Sequence, residues 1–255
     1  MSTQLVLSLI SGITISGLAA YLGTLMLSKR MSVVAGPLAH LAFPGVAVAI
    51  MCGFNIGLGV FPFVLIGAVL IWYVGQKTKL PMENLSAVIF AVGVGTSLLF
   101  LPISEAEEVL IGNIMQISLV EMILITLLGL ITFFFTRKIY NNMMLINIHE
   151  DLVKVNKRSV SLYNLGYLLA IAITVALGVY LVGGLITATL IAIPAGASRN
   201  ISRSLPRYKF WAVVFGITGT IMGILLSQTF HLPTGPMIIV SGAFIFLVSL
   251  FIHKN

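Results

Sequence analysis

Apolar residues run along this chain in long blocks, and polar residues crowd into the gaps. Nine blocks predict helices: 5–27, 33–53, 57–75, 84–102, 119–136, 161–181, 183–200, 208–228 and 235–252. About 20 apolar residues in a helix cross a hydrocarbon core of about 30 Å. The fourth and seventh blocks are short. Strands of a membrane barrel would alternate over about ten residues, and no such alternation is present. The pattern predicts an all-α integral membrane protein with eight to nine transmembrane helices, some of them broken by proline, in a single domain over residues 1–255.

Composition agrees: 59% of the 255 residues are hydrophobic and 8% are charged, against roughly 25% charged in a soluble domain. The net charge of +7 would suit nucleic acid, but its placement argues otherwise. All 14 Lys and Arg fall on the exits of odd-numbered spans or in the turn between the seventh and eighth. Lys29, Lys77, Arg137, Arg199 and Lys254 mark the five clusters. By the positive-inside rule that side is cytoplasmic, with the N-terminus outside and the C-terminus inside. The expected setting is multi-pass in the cytoplasmic (inner) membrane, with lipid and no nucleic acid as partner. No basic stretch precedes the first apolar block, so it reads as a retained span rather than a cleaved signal. Cys52 is the sole cysteine, which leaves no internal disulfide and no thiol cluster for a metal.

The loop after the fourth span carries Glu105, Glu107 and Glu108, and Glu121 follows near the start of the fifth. It reads either as a solvated loop that helps to set topology or as a negative vestibule that concentrates cations.

Span interiors hold almost no titratable group, and such groups in hydrocarbon are costly. His40 is the exception, in "AGPLAHLAFPGVAVAI", about 10 Å into the second span at 1.5 Å per residue. Pro44 supplies no amide to the His40 carbonyl and crowds it. Freed carbonyls at membrane depth need neighbours or a lined cavity, and broken helices often carry transport sites. One reading is a kinked helix whose histidine bonds a neighbour; the other is an imidazole beside a cation path. Pro194 is expected to interrupt the seventh span in a corresponding place, a weak pointer to inverted repeats. There Ala188, Ala192 and Gly196 form a small-residue ridge suited to close helix approach. His231, in "HLPTGP", lies on a rigid turn on the outer side.

Neither H-E-x-x-H nor G-x-x-x-x-G-K-[ST] occurs, so neither an intramembrane zinc protease of that type nor ATP hydrolysis by this chain is expected. The longest polar stretch follows the fifth span. Leu145, Ile148, Leu152 and Val155 recur there at helical spacing, and Glu150 pairs with Lys154 at i, i+4. A short amphipathic helix over 147–156 is expected, with Asn147 as its cap. It would lie on the inner leaflet or dock a cytoplasmic partner.

Five local patterns in order resemble the ABC-3 family, the permeases of zinc, manganese and iron ABC importers. "PLAHLAFPG" resembles the family's H-a-x-x-P-G stretch, and "KTKLPMENLSAVIFAVGVG" its third-to-fourth span connection. "EEVLIGNI" resembles its outer loop, "GGLITATLIAIPAGASR" its proline-bearing span, and "HLPTGPMIIV" the start of its final span. The resemblance implies a permease of the type II ABC importer kind, working as a homodimer with the path at its axis. A separate ABC ATPase would sit below and an extracytoplasmic metal-binding receptor above. No cofactor is held permanently; the divalent metal is cargo. His40 and His231 would be transient ligands or gates, and Glu105, Glu107 and Glu108 would face the entrance. The segment with Glu150, Asp151, Leu152 and Lys154 would couple to the ATPase. The chain departs from the family at Gly36 and His231, where the family often has Asp, and at Asn156, where it usually has glycine. Imidazole in place of carboxylate suits zinc better than manganese. The residues by themselves also leave open a stand-alone secondary carrier with His40 as relay, or an integral-membrane enzyme or scaffold.

Overall fold

The computed structural model describes residues 3–29, 31, 34–78, 80–97, 99, 114, 117–148 and 157–252. Its helices are α1 (Thr3–Ser28), α2 (Ala35–His40), α3 (Ala42–Cys52), α4 (Ile56–Thr78), α5 (Met82–Ser97), α6 (Leu119–Ile148), α7 (Lys157–Val182), α8 (Gly184–Ile201), α9 (Leu205–Phe230) and α10 (Thr234–Phe251). Each expected span finds a helix, and the second is divided into α2 and α3. Seven segments, α2 and α3 counting together, are long and apolar enough to cross a membrane. The two that fall short are the two short blocks: α5 has only 16 residues, and α8 carries Thr187, Thr189, Ser198, Arg199 and Asn200. Neighbouring helices bury Ser86 and Ser97 of α5 and Thr187 and Ser198 of α8.

Which helices lie inside follows from which can tolerate close neighbours. α1 packs against α6, α7, α8 and α9, and its small residues permit it. A Cβ on Gly23 would come within 3.0 Å of the Ile191 carbonyl of α8, and one on Gly216 of α9 would lie 2.9 Å from the Ser16 carbonyl. By contrast α6 and α10 turn Leu127, Ile131, Phe134, Phe244 and Leu247 outward, as lipid-facing helices do. Polar ties supplement the packing. Thr24 Oγ1 lies 2.9 Å from the Tyr140 hydroxyl, linking α1 to α6. Trp72 Nε1 donates to the Ser161 carbonyl at 3.0 Å, linking α4 to α7.

Three expectations are corrected. Pro194 does not interrupt α8, which is continuous from Gly184 to Ile201; packing from α1, α9 and α10 holds the turn from which the proline withdraws an amide. The ridge of Ala188, Ala192 and Gly196 is only half-buried. α8 meets α1 through the adjoining positions, with Ile191 and Ala195 against Gly23, while Gly196 faces Phe246 of α10. Residue 147 caps no new helix, because it lies in the last turn of α6, which runs twelve residues past the expected end. Ile139, Tyr140, Met143 and Ile146 stay buried, so the apolar face continues beyond the basic residues at 137 and 138.

Candidate functional site

The break in the second span begins with a missing donor. Pro44 has no amide to offer the His40 carbonyl, and the helix stops there: α2 ends at His40, Leu41 forms a turn, and α3 starts at Ala42. The Leu41 amide is shared between the carbonyls of Pro37 at 3.3 Å and Leu38 at 3.2 Å, the tightened geometry common at helix ends. Pro37 sits in the first turn of α2, where its own lack of an amide costs little. Packing then holds the break. Leu41 inserts between Gly67 of α4 and Gly93 of α5; a Cβ on either glycine would come within 3.0 Å of a Leu41 methyl carbon. Just beyond the break, α3 crosses α4 with Gly45 against Gly59, where a Cβ on either would run into the other's carbonyl.

His40 is thereby placed at the end of a half-helix, half-buried. Its ring stacks on Phe43 of α3 (centroids 5.4 Å apart) and tilts against Phe90 of α5 (5.1 Å). Among the described residues it makes no hydrogen bond, so the reading in which the histidine bonds a neighbouring helix is not what the structure has. The packed side of α2 is Ala35, Leu38 and Ala39. Its other side, Gly36, Pro37 and His40, continues to Pro44 and is covered only in part. Gly36, one turn before His40, has nothing within 4 Å of where a Cβ would stand. The helices packed on α2 are α4, α5, α7 and α8. No group of three His, Cys, Asp or Glu gathers anywhere among the described residues, and His40 stands on the partly covered face of α2.

A second polar group forms at the end of the bundle away from the basic residues. Ser118 donates its amide and hydroxyl to Glu121 Oε2, each at 2.8 Å, and the Glu121 amide returns to Ser118 Oγ at 3.2 Å. That is a capping box on α6. The Tyr180 hydroxyl of α7 donates to Glu121 Oε1. Asn55, which also accepts from the Gly57 amide at 2.8 Å, interacts with the same phenol. The α3–α4 turn, α6 and α7 are thus tied at one point.

Comparison with known proteins decides what this architecture belongs to. The model of the ABC 3 transport family matches residues 1–253. The chain belongs to that family. It is a membrane-spanning permease subunit of an ABC transporter and is not itself catalytic. The zinc uptake membrane protein ZnuB of Haemophilus influenzae is 25% identical over 249 residues, covering 96% of this chain and 95% of the relative. The manganese import permease ScaB of Streptococcus gordonii is 22% identical over 251 residues, covering 96% and 90%. Among solved structures, PsaBC from Streptococcus pneumoniae in complex with Fab superposes with a TM-score of 0.79 at 20% identity, over 97% of this chain and 91% of that one. The fold described above is therefore shared with that structure over almost the whole of this chain.

His231 has a structural task in this permease. It is the C-cap of α9 in the left-handed region (φ 55°, ψ 38°), exposed, with Nδ1 2.9 Å from the Gln228 carbonyl. Ser227 Oγ donates to the Leu232 carbonyl at 2.6 Å and lies 2.8 Å from Thr234 Oγ1, which ties the turn to the last turn of α9. Since α2 packs on α4, α5, α7 and α8, the structure does not gather His231 with His40. Glu105, Glu107 and Glu108 lie outside the described residues, as do Glu150, Asp151, Leu152 and Lys154. The tie at Glu121 escaped the sequence reading, although "SLVE" carries its capping signature from Ser118 to Glu121. Tyr180, 59 residues on, had no local signal.

Proposed function

We propose that this chain is the permease of an ATP-driven importer for divalent transition metals, with zinc favoured over manganese and iron. The observation that carries the reading is the open imidazole of His40 at a helix break in a chain matched end to end by the ABC 3 family. Relatives named for zinc uptake and manganese import support the class of cargo. Two copies would close around an axis, each contributing its Gly36–Pro37–His40–Pro44 face. Ions would then meet a sparse set of imidazoles rather than a closed cage, binding firmly enough to enter and weakly enough to leave. The basic end would face the cytoplasm, where residues 147–156, with Glu150, Asp151, Leu152 and Lys154, would dock a separate ATPase. A metal-binding receptor would deliver cargo at the opposite end, near His231, Glu105, Glu107 and Glu108.

The test is reconstitution. With the cognate ATPase and metal-loaded receptor, proteoliposomes should take up zinc only when ATP is supplied, and the receptor should stimulate hydrolysis. Uptake at the same rate with the ATPase omitted would replace this reading with a secondary carrier.

Selectivity offers a finer check. Gly36→Asp places a carboxylate one helical turn from His40, in space that nothing occupies. A hard oxygen donor beside the imidazole should move the zinc-to-manganese uptake ratio severalfold toward manganese. Competition uptake with both ions measures it; an unchanged ratio would mean that the face is not on the path.

A further inference from the structure

The imidazole on which the transport reading rests is covered in part by two rings, and the two are held differently. Phe43 of α3 lies nearly parallel to it, with 21° between the planes, and is itself buried. An ion reaches an imidazole in the ring plane, along a nitrogen lone pair, so a ring stacked on the face leaves that approach free. Phe90 meets the imidazole at a tilt of 54°. It is half-buried, and it stands on α5.

The attachment of α5 differs from that of the other helices. Polar bonds join α1 to α6 through Thr24 and Tyr140, α4 to α7 through Trp72 and Ser161, and α7 to α6 through Tyr180 and Glu121. Asn200 Nδ2 donates to Ser249 Oγ at 2.9 Å, joining α8 to α10. Among the described residues no side-chain hydrogen bond joins α5 to another helix. Its hydroxyls turn back onto its own carbonyls: Ser86 onto Glu83 at 2.7 Å, Thr96 onto Val92 and Gly93, each at 2.9 Å, and Ser97 onto Val94 at 2.9 Å. α5 rests on α2, α3 and α4 through apolar contacts, among them Leu41 seated on Gly93 and Leu85 beside Gly75. Its Val88 and Val92 face outward, each 62% exposed. Such a surface can slide by about 1–2 Å without unpairing a donor, as packed helices do in shear motions. Gly93 follows Phe90 by three residues, on the same side of α5. A shift of α5 over Leu41 therefore carries the Phe90 ring with it.

We propose that Phe90 is the gate residue of this site. α5 shifts during the transport cycle, and the ring moves between a position that covers the His40 imidazole and one that bares it to the cargo ion. An apolar ring at a constriction keeps water and ions away while it is in place, so the imidazole is offered to metal in one state of the cycle and withheld in another. The inference rests on the transport reading for the identity of the ion; the movement of the cover is measured apart from it.

The test follows carbethoxylation of His40 by diethylpyrocarbonate, counted by peptide mass spectrometry. It uses the full chain with its ATPase in proteoliposomes and metal-free buffer, with the exposed His231 as internal reference. In the wild type the His40 rate relative to His231 should differ severalfold between nucleotide-free and vanadate-trapped complexes. Phe90→Ala should bring both states to the faster rate. Phe90→Tyr, which keeps the ring, should keep the difference. A ring that only packs gives no difference between states. Equal rates in the two states of the wild type overturn the proposal without any variant. So does a difference that survives in Phe90→Ala, or one lost equally in Phe90→Tyr, which would reflect general loosening of α5. The expected pattern supports the gate even where His40→Ala leaves uptake unchanged, the result that sinks the transport reading of His40. Its absence overturns the gate even where His40→Ala abolishes uptake.

Discussion

Replacing His40 by alanine is expected to lower metal uptake by about tenfold or more while the chain still assembles. Removing even a group that supports a metal ligand typically costs 10–100-fold in affinity or activity, and His40 would be a ligand itself. Assembly should survive because the ring makes no hydrogen bond among the described residues; its contacts are two aromatic faces, Phe43 and Phe90. The break that carries it depends instead on Pro44 and on Leu41 seated between Gly67 and Gly93. Proteoliposome uptake, normalised to the amount of monodisperse complex, separates the two effects. An unchanged rate would return His40 to a packing role, and a misassembled protein would show that the aromatic contacts hold the break. His40→Gln, which keeps a polar side chain but not an imidazole donor, should fail to transport in the same way.

The second large effect is on stability. Gly45→Ala is expected to cost about 1–3 kcal/mol, the usual range for forcing an extra carbon into a packed interface. The added carbon would meet the Gly59 carbonyl group of α4, 2.7 Å from its carbon, and lie 3.1 Å from the Val60 Cα. These are backbone atoms, so no side chain can swing aside and α3 must move off α4. Gly59→Ala should behave alike, since the contact is mutual, and the double variant should be less than additive because both relieve strain through the same displacement. Gly36→Ala is the control: its Cβ meets nothing within 4 Å, and its midpoint should not fall. Thermal unfolding in detergent reads all four. A Gly45→Ala midpoint equal to that of the wild type would remove the close crossing from the account of how the half-helix is held.

How far the site could be read in advance varies residue by residue. The break at His40 was legible because proline acts on the carbonyl four residues before it, whatever the surroundings. The same rule failed at Pro194, since whether a helix parts or merely loses one bond depends on what encloses it. Pro62, inside α4, shows the same tolerance. Gly93 has no local signal in the sequence; its use became visible only with Leu41 of another helix seated on it. The length of α6 was underestimated because Arg137 and Lys138 look like a helix exit, whereas long basic side chains can extend away from a face that remains apolar.

By itself the sequence determined where the long apolar helices fall along the chain, the gathering of basic residues between particular helices, and the division of the second span beside an imidazole. Each depends on properties local to the chain: apolar length matched to a bilayer, charge excluded from hydrocarbon, and an amide that proline lacks. Tertiary structure alone decided that His40 makes no hydrogen bond among the described residues, that Gly45 meets Gly59, and that Tyr180 reaches Glu121. Those outcomes are meetings of residues far apart in the chain. Hydropathy is nearly uniform around these helices, so it does not specify which face of one will turn toward another; the shapes of small residues and the few buried polar groups do.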